Sequence, residues 1–259
     1  MACGSAAVLD KSLVAGRVTN PVVVGQVLKQ LIARTEIHET RALVAVSDST
    51  STFRVLQLPV GITDQDVATA VSRELPLDPE RIATRWVDAG GDGTSRVVYA
   101  VAWDRAQIKS ITESIKLAGL DATVVELKSA SLARAVTLRS CLVVDMVSEP
   151  SEIVLVDGHL PRLWHGLELN LPRNDDIASN LANPLRSMLS FYARSRDKSF
   201  APTSPVLIAS EQVLSAQSLA RLADLIQLPV QPLAAPPRVS PNVRHSNYLT
   251  CLGLIMRRN

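Results

Sequence analysis

Aromatic side chains are scarce: three Phe, three Trp and three Tyr make up only 3% of 259 residues. Any core must therefore be mostly Val, Leu, Ile and Ala, and an apolar share of 47% suffices to build a sizeable one. A dominant charge is missing as well. Lys and Arg number 27 against 25 Asp and Glu, a net charge of +2, so charge gives no case for nucleic acid. The three cysteines, Cys3, Cys141 and Cys251, are scattered without metal-ligand spacing, which argues against both a zinc module and a disulfide framework. Cys141 heads an apolar run and reads as a small core residue. The histidines, His38, His159, His165 and His245, lie far apart and read as surface or loop residues rather than metal ligands. No apolar run is long enough to span a bilayer. The first residues lack the basic start and apolar stretch of a secretion signal, and Cys3 alone does not make a lipoprotein. The expectation is a soluble, intracellular protein that reaches a membrane only through a partner. No internal repeat is visible.

What is present is a segment that reads β-α-β-β-α-β over 53–127. Residues 53–58 alternate like a half-buried strand, and Pro59 to Gly61 break it. Val67, Ala70, Val71 and Leu75 share one helical face, with Thr63 at the N-cap and Asp66 near the positive helix end. Residues 82–87 and 96–103 are β-rich and flank a loose Gly-rich hairpin turn at 89–93. Asp104 caps a second helix with Gln107 at the capping-box position. That helix presents Ile108, Ile111, Ile115 and Ala118, and it stops at Gly119. A last strand covers 122–127. Two helices on one face of a small sheet could bury one core.

Around this segment, Asn20 and Pro21 open a helix as N-cap and first helical residue. Residues 41–47 read as a buried strand. Ser129 caps a predicted helix that runs to Leu138. Residues 141–146, 152–156 and 160–166 form a β-meander. Residues 170–183 are polar and read as mostly loop, followed by a helix over 184–193. A buried strand at 205–209, a helix at 214–225, a short strand at 229–232 and a Pro-rich stretch at 232–241 follow. A short helix from Tyr248, with Leu249, Leu252 and Ile255 apolar, closes the chain.

Several stretches, taken in this order, resemble the actin-like proteins of type IV pilus assembly (the PilM type), relatives of the cell-division protein FtsA. Residues 20–31 look like that family's first helix, and 53–58 with 73–77 look like its inserted module. Residues 98–103 with 117–120 are similar to its strand-helix-AGL pattern, 185–192 to its late helix and 252–257 to its closing helix. The resemblance implies an α/β fold: actin-like (ribonuclease H-like) lobes with an inserted β-α-β-β-α-β (SHS2-like) module. Residues 1–51 would be the first lobe without its first hairpin, 52–127 the module and 128–140 a return to the first lobe. Residues 141–240 would be a second lobe with a reduced helical subdomain, and 241–259 the closing helix.

An actin-like fold hydrolyses ATP with backbone amides at Gly-rich turns and an acidic residue that positions metal or water. The resemblance places three such turns here. The N-terminal Asp-x-Gly hairpin has no match in residues 1–16, so the turn and its strands are expected to be absent. Asp145 stands at the acidic position of the second, as a vestigial cofactor-binding residue. Met146 and Val147 replace the glycine after it, and Glu149 and Pro150 occupy the phosphate-facing stretch. Ala209 to Gln212 replace the third. The short connection at 170–183 leaves no room for the family's helical subdomain. No catalytic residue and no metal ligand set is expected, and the cofactor expectation is none.

The leading expectation is a non-catalytic scaffold, a pseudo-ATPase, of a pilus, secretion or competence machine. It would sit in the cytoplasm, peripheral to the inner membrane, and bind the cytoplasmic N-terminal tail of a PilN-type membrane partner. The resemblance places that tail between the first lobe and the module, and Trp86 and Trp103 are the candidate partner anchors. Neither nucleic acid nor direct membrane insertion is expected, and a homo-oligomer is compatible. The alternative is a divergent ATPase that uses Asp145 with ATP and Mg²⁺; a filament-forming, FtsA-like membrane tether is a third. Ser47, Asp48 and Ser129 sit in no nucleophile elbow. Lys109, Lys116 and Glu113 read as a solvated helix face, and the 90–93 loop as a hairpin turn rather than a phosphate cradle.

Overall fold

Caps and glycines set the boundaries of the elements. The computed structural model describes residues 4–8, 11–75, 78–147, 151–167, 177–196, 199–235 and 245–257. They fall into two units, Met1–Glu126 and Leu127–Asn259.

The first unit begins with a hairpin of β1 (Leu13–Val14) and β2 (Arg17–Val18). Ala15 and Gly16 turn it with φ of 47° and 80°, the positive values that tight hairpins require. The hairpin expected to be absent therefore exists in reduced form, with no carboxylate at its turn. Helix α1 (Pro21–Arg34) starts as predicted, with the Asn20 side chain accepting from the N–H groups of Val22 and Val23. Next come β3 (Arg41–Val46), β4 (Ser51–Pro59) and α2 (Asp64–Glu74). The Thr63 hydroxyl caps α2 by accepting the Asp66 N–H at 3.2 Å, and it donates to the Asp66 carboxylate at 2.7 Å. Then follow β5 (Ile82–Gly91), β6 (Ser95–Asp104), α3 (Arg105–Leu117) and β7 (Asp121–Leu127).

The order β-α-β-β-α-β is as read from the sequence, but its members separate. Strands β4, β6 and β5 form an antiparallel sheet in that order, with α2 on one face. Strand β7 pairs instead with β3 in a two-stranded sheet. Helix α3 packs on α1, where a Cβ at Gly25 would come within 2.7 Å of the Leu117 Cβ. The expected pair of helices on one sheet face is thus replaced by a helix-on-sheet layer and a helix-on-helix layer. Gln107 takes part in this change. Its Oε1 accepts the Val18 N–H at 3.2 Å, which ties α3 to β2. Asp104 caps α3 through the Ala106 N–H at 2.9 Å. Helix α3 ends at Gly119, φ 87°, where the Leu120 N–H reaches back to the Ile115 carbonyl.

The second unit contains α4 (Lys128–Ala135), β8 (Ser140–Asp145), β9 (Ser151–Asp157), β10 (Leu160–Leu167) and α5 (Ile177–Arg196). It continues with β11 (Val206–Ala209), α6 (Ala216–Ile226), β12 (Val230–Pro232) and α7 (Leu249–Ile255). One five-stranded sheet runs β10-β9-β8-β11-β12, with only β9 reversed. This is the ribonuclease H-like arrangement. Strand alternation splits its side chains cleanly. Leu142, Val144, Ile153, Leu155, Val206 and Ile208 pack with α5 and α6. Cys141, Val143, Val154, Val156, Leu207 and Ala209 pack with α4 and α7. The edge strands carry Pro161, beside a bulge in β10, and Pro232 in β12, residues that discourage further strand pairing.

Two boundaries differ from the sequence reading. Residues 177–183, read as loop, are the first turns of α5, because Ala178, Leu181, Ala182 and Leu185 bury a helical stripe that outweighs their polar neighbours. The helix continues through Pro184. Residues 170–176 of that stretch lie outside the described residues. Helix α4 starts at Lys128 with Leu127 as N-cap and no side-chain cap, so Ser129 lies inside the helix and is buried. Where 128–140 was read as returning to the first lobe, Leu132, Ala133 and Ala135 of α4 pack on this unit's sheet. Helix α7 crosses α4 closely: a Cβ on Gly253 would lie 1.9 Å from the Ser131 carbonyl oxygen. Its Ile255 is exposed, and Leu254 is buried with Leu249 and Leu252.

Candidate functional site

Asp145 is the last residue of β8 and pairs in register with Glu152, the second residue of β9. Alternation turns both carboxylates to the α4 side of the sheet, and Lys128, the first residue of α4, inserts between them. Its Nζ lies 2.9 Å from Asp145 Oδ2 and 3.2 Å from Glu152 Oε1. The three side chains are 10%, 2% and 0% exposed. Asp145 Oδ1 accepts the Val147 N–H at 3.0 Å, and the Trp164 indole donates to Glu152 Oε2 at 2.8 Å. Burial pushes the Glu152 carboxyl up, against the opposing pull of the Lys128 charge and the Trp164 hydrogen bond. Removing one member of such a buried set leaves a charge without its partner, a loss of about 3–5 kcal/mol.

This arrangement bears directly on the nucleotide question. In an actin-like protein a carboxylate here would face a metal ion or water. Here an ammonium already contacts Asp145, and a divalent cation would have to displace it. The site also offers little room for the water ligands that magnesium usually keeps. Among the described residues, no group of three or more His, Cys, Asp or Glu could hold a metal ion. The donor set does not fit a magnesium nucleotide. At the third expected turn, the Ser210 hydroxyl accepts the Gln212 N–H, and Glu211 accepts from the Asn247 amide at 3.4 Å. This turn carries polar side chains where the resemblance expects bare glycine backbone. Glu149 and Pro150 lie outside the described residues. Cys141 is fully buried, and burial raises its thiol to about 12, consistent with an inert core residue.

The two tryptophan candidates share the three-stranded sheet but not a face. Trp86 pairs with Ala100, whose side chain lies in the core under α2. It packs on that core's rim, with the Arg96 guanidinium 5.3 Å from its ring centre. Arg96 in turn bridges Asp88 at 2.6 Å and Asp64 at 2.9 Å and donates to the Ile62 carbonyl. Trp86 is therefore part of a clamp between α2 and the β5-β6 hairpin. Trp103 pairs with Ala83 and Ser51 on the opposite face, which also carries Val97, Tyr99, Val101, Phe53 and Val55. The Phe53 and Tyr99 rings are 5.6 Å apart, and Val87 on this face is 56% exposed. The structure thus separates the two tryptophans and gives Trp103 apolar company. Strand alternation through 97–103 carries that signal. Lys128 and Glu152 were missed, although a Glu inside the apolar run 152–156 is the mark of a partnered buried charge.

Together, the 3-2-1-4-5 sheet with helices on both faces and the segment set between β3 and β7 define an actin-like α/β fold. No family model and no curated protein matches the chain. Among solved structures, the chain is similar to one from a PilM-PilN type IV pilus biogenesis complex, with a TM-score of 0.69 at 18% identity over 93% of this chain and 86% of that one. It is also similar to the cytoplasmic domain of EpsL, an inner membrane component of the type II secretion system of Vibrio cholerae. That match has a TM-score of 0.53 at 11% identity over 91% of this chain and 82% of the other. At these identities the likeness establishes the fold.

Proposed function

We propose that this chain is a non-catalytic, actin-like scaffold of a type IV pilus or related secretion machine, and that it binds the N-terminal tail of a PilN-type membrane partner. The observation that carries the reading is the fold likeness over 93% of the chain to a protein of a PilM-PilN complex, joined to a carboxylate already engaged by Lys128. A second machine component, the EpsL cytoplasmic domain, shares the fold. Among the described residues, no helix is long and apolar enough to cross a membrane, which is compatible with attachment through a partner at the inner membrane.

The face of Phe53, Val55, Val97 and Trp103 is the surface we assign to the partner tail. An extended peptide needs only apolar pockets and backbone pairing there, and no chemistry from this chain. Calorimetry of the chain with a PilN-type N-terminal peptide tests the assignment. Binding that weakens at least tenfold in Trp103→Ala, with Trp86→Phe unchanged, is the expected result. Equal loss in both, or no heat at high micromolar peptide, would remove the surface from consideration. The competing reading, a divergent ATPase built on Asp145, requires ATP with Mg²⁺ to raise the Tm. The scaffold reading expects no shift at millimolar ATP.

A further inference from the structure

We infer that Lys128 is the resident cation of a two-carboxylate site in the second unit, so that the Asp145–Glu152 pair is a primary-ammonium site filled by the chain itself. The contacts are ion pairs held by distance and burial rather than by aligned hydrogen bonds. The ammonium lies between two carboxylates on neighbouring strands, 2.9 Å from one and 3.2 Å from the other, in a pocket that leaves it 10% exposed. The remaining oxygens are held by the Val147 N–H and the Trp164 indole, so both carboxylates are oriented by their own neighbours. The placement of Lys128 has no helix rationale. It is the first residue of α4, where the helix dipole disfavours a cation. Only the carboxylates account for a buried charge there. The carboxylates flank the turn end of the β8-β9 hairpin, so the ammonium ties that end of the hairpin to α4.

One functional consequence rests on the scaffold reading above: a lobe with its own cation holds this hairpin without nucleotide or metal. The inference itself stands on the geometry and is tested separately. The probe is ethylammonium, a primary ammonium small enough to replace the truncated side chain, compared with tetramethylammonium at equal ionic strength. In Lys128→Ala the Tm should fall by about 5 °C or more. Ethylammonium should return at least half of that loss, tetramethylammonium should return none, and neither should move the wild type. Lys128→Met should be as destabilised as Lys128→Ala, and adding Glu152→Gln to Lys128→Met should recover part of the loss, because the uncompensated carboxylate is gone. If Lys128→Ala and Lys128→Met do not fold, the test is whether adding Glu152→Gln to Lys128→Met restores a cooperative unfolding transition. A Lys128→Met protein as stable as the wild type, a double variant no better than the single, or an alanine variant indifferent to ethylammonium would each overturn the inference. A failed scaffold reading would show instead as an ATP-Mg²⁺ shift in the wild type with the rescue intact.

Discussion

The two units use strands in opposite ways. The second unit places five strands in one sheet and covers both faces with helices, so that side chains from three strands alternate between two cores. The first unit distributes its strands over sheets of two, two and three. Its three-stranded sheet has α2 on one face and an apolar opposite face that leaves Val87 exposed. A sheet covered on both faces can hold a charged set such as Lys128, Asp145 and Glu152 at fixed distances, because its surroundings do not yield. The face opposite α2 is only partly open: Tyr99 and Val101 are buried there, while Phe53, Val55, Val97 and Trp103 are half-buried and Val87 is exposed. In the proposed reading, the second unit's carboxylate is held by the chain's own ammonium, and the first unit provides the binding surface.

Truncations test that contrast most strongly. Leu142→Ala, fully buried in the middle strand β8, should cost about 2–5 kcal/mol in urea unfolding. Leu58→Ala, half-buried at the rim of the α2 core, should cost about 1 kcal/mol. Equal costs would break the comparison. The close helix crossings give a finer test. Gly253→Ala forces a Cβ onto the Ser131 carbonyl, a backbone atom that cannot turn aside, and should lose about 3 kcal/mol. Gly25→Ala meets the Leu117 Cβ at 2.7 Å and the Ser114 carbonyl at 2.9 Å, a looser clash that should lose less, about 1–2 kcal/mol. The reverse ranking would mean that α1 and α3 are the more rigid pair.

The smallest effect concerns the β5-β6 turn. Asp92 accepts from the backbone and hydroxyl groups of both Thr94 and Ser95, and these hydrogen bonds lower its carboxyl from 3.8 to about 2. A depressed carboxylate stabilises the fold above its unfolded pKa, and that contribution disappears as the pH falls through the folded value. The Tm difference between the wild type and Asp92→Ala should therefore be present at pH 5 and should shrink between about pH 4 and pH 2. A difference that is constant over that range would show that the carboxylate charge plays no part in the turn.

Local chemistry was legible in the sequence. Asn20 with Pro21, Thr63 with Asp66, and Gly119 carry their own physical signal, and each acts where that signal places it. Strand alternation in the second unit was legible for the same reason. Partner choice was not. Nothing local says that β7 pairs with β3 rather than joining β4-β6-β5, or that Gln107 reaches Val18 instead of closing a capping box. The start of α5 was hidden because polar residues and Pro184 mask a stripe that only a sheet face reveals. Asp145 was found through the resemblance, whereas Lys128 and Glu152 come to it only through the fold.

We propose a scaffold that binds its partner without nucleotide. The most direct measurement is calorimetry of the full chain with a PilN-type N-terminal peptide, performed once in EDTA and once in millimolar ATP with Mg²⁺. Binding with the same Kd in both is the expected result. Binding that requires ATP-Mg²⁺, or no binding in either condition, would contradict it.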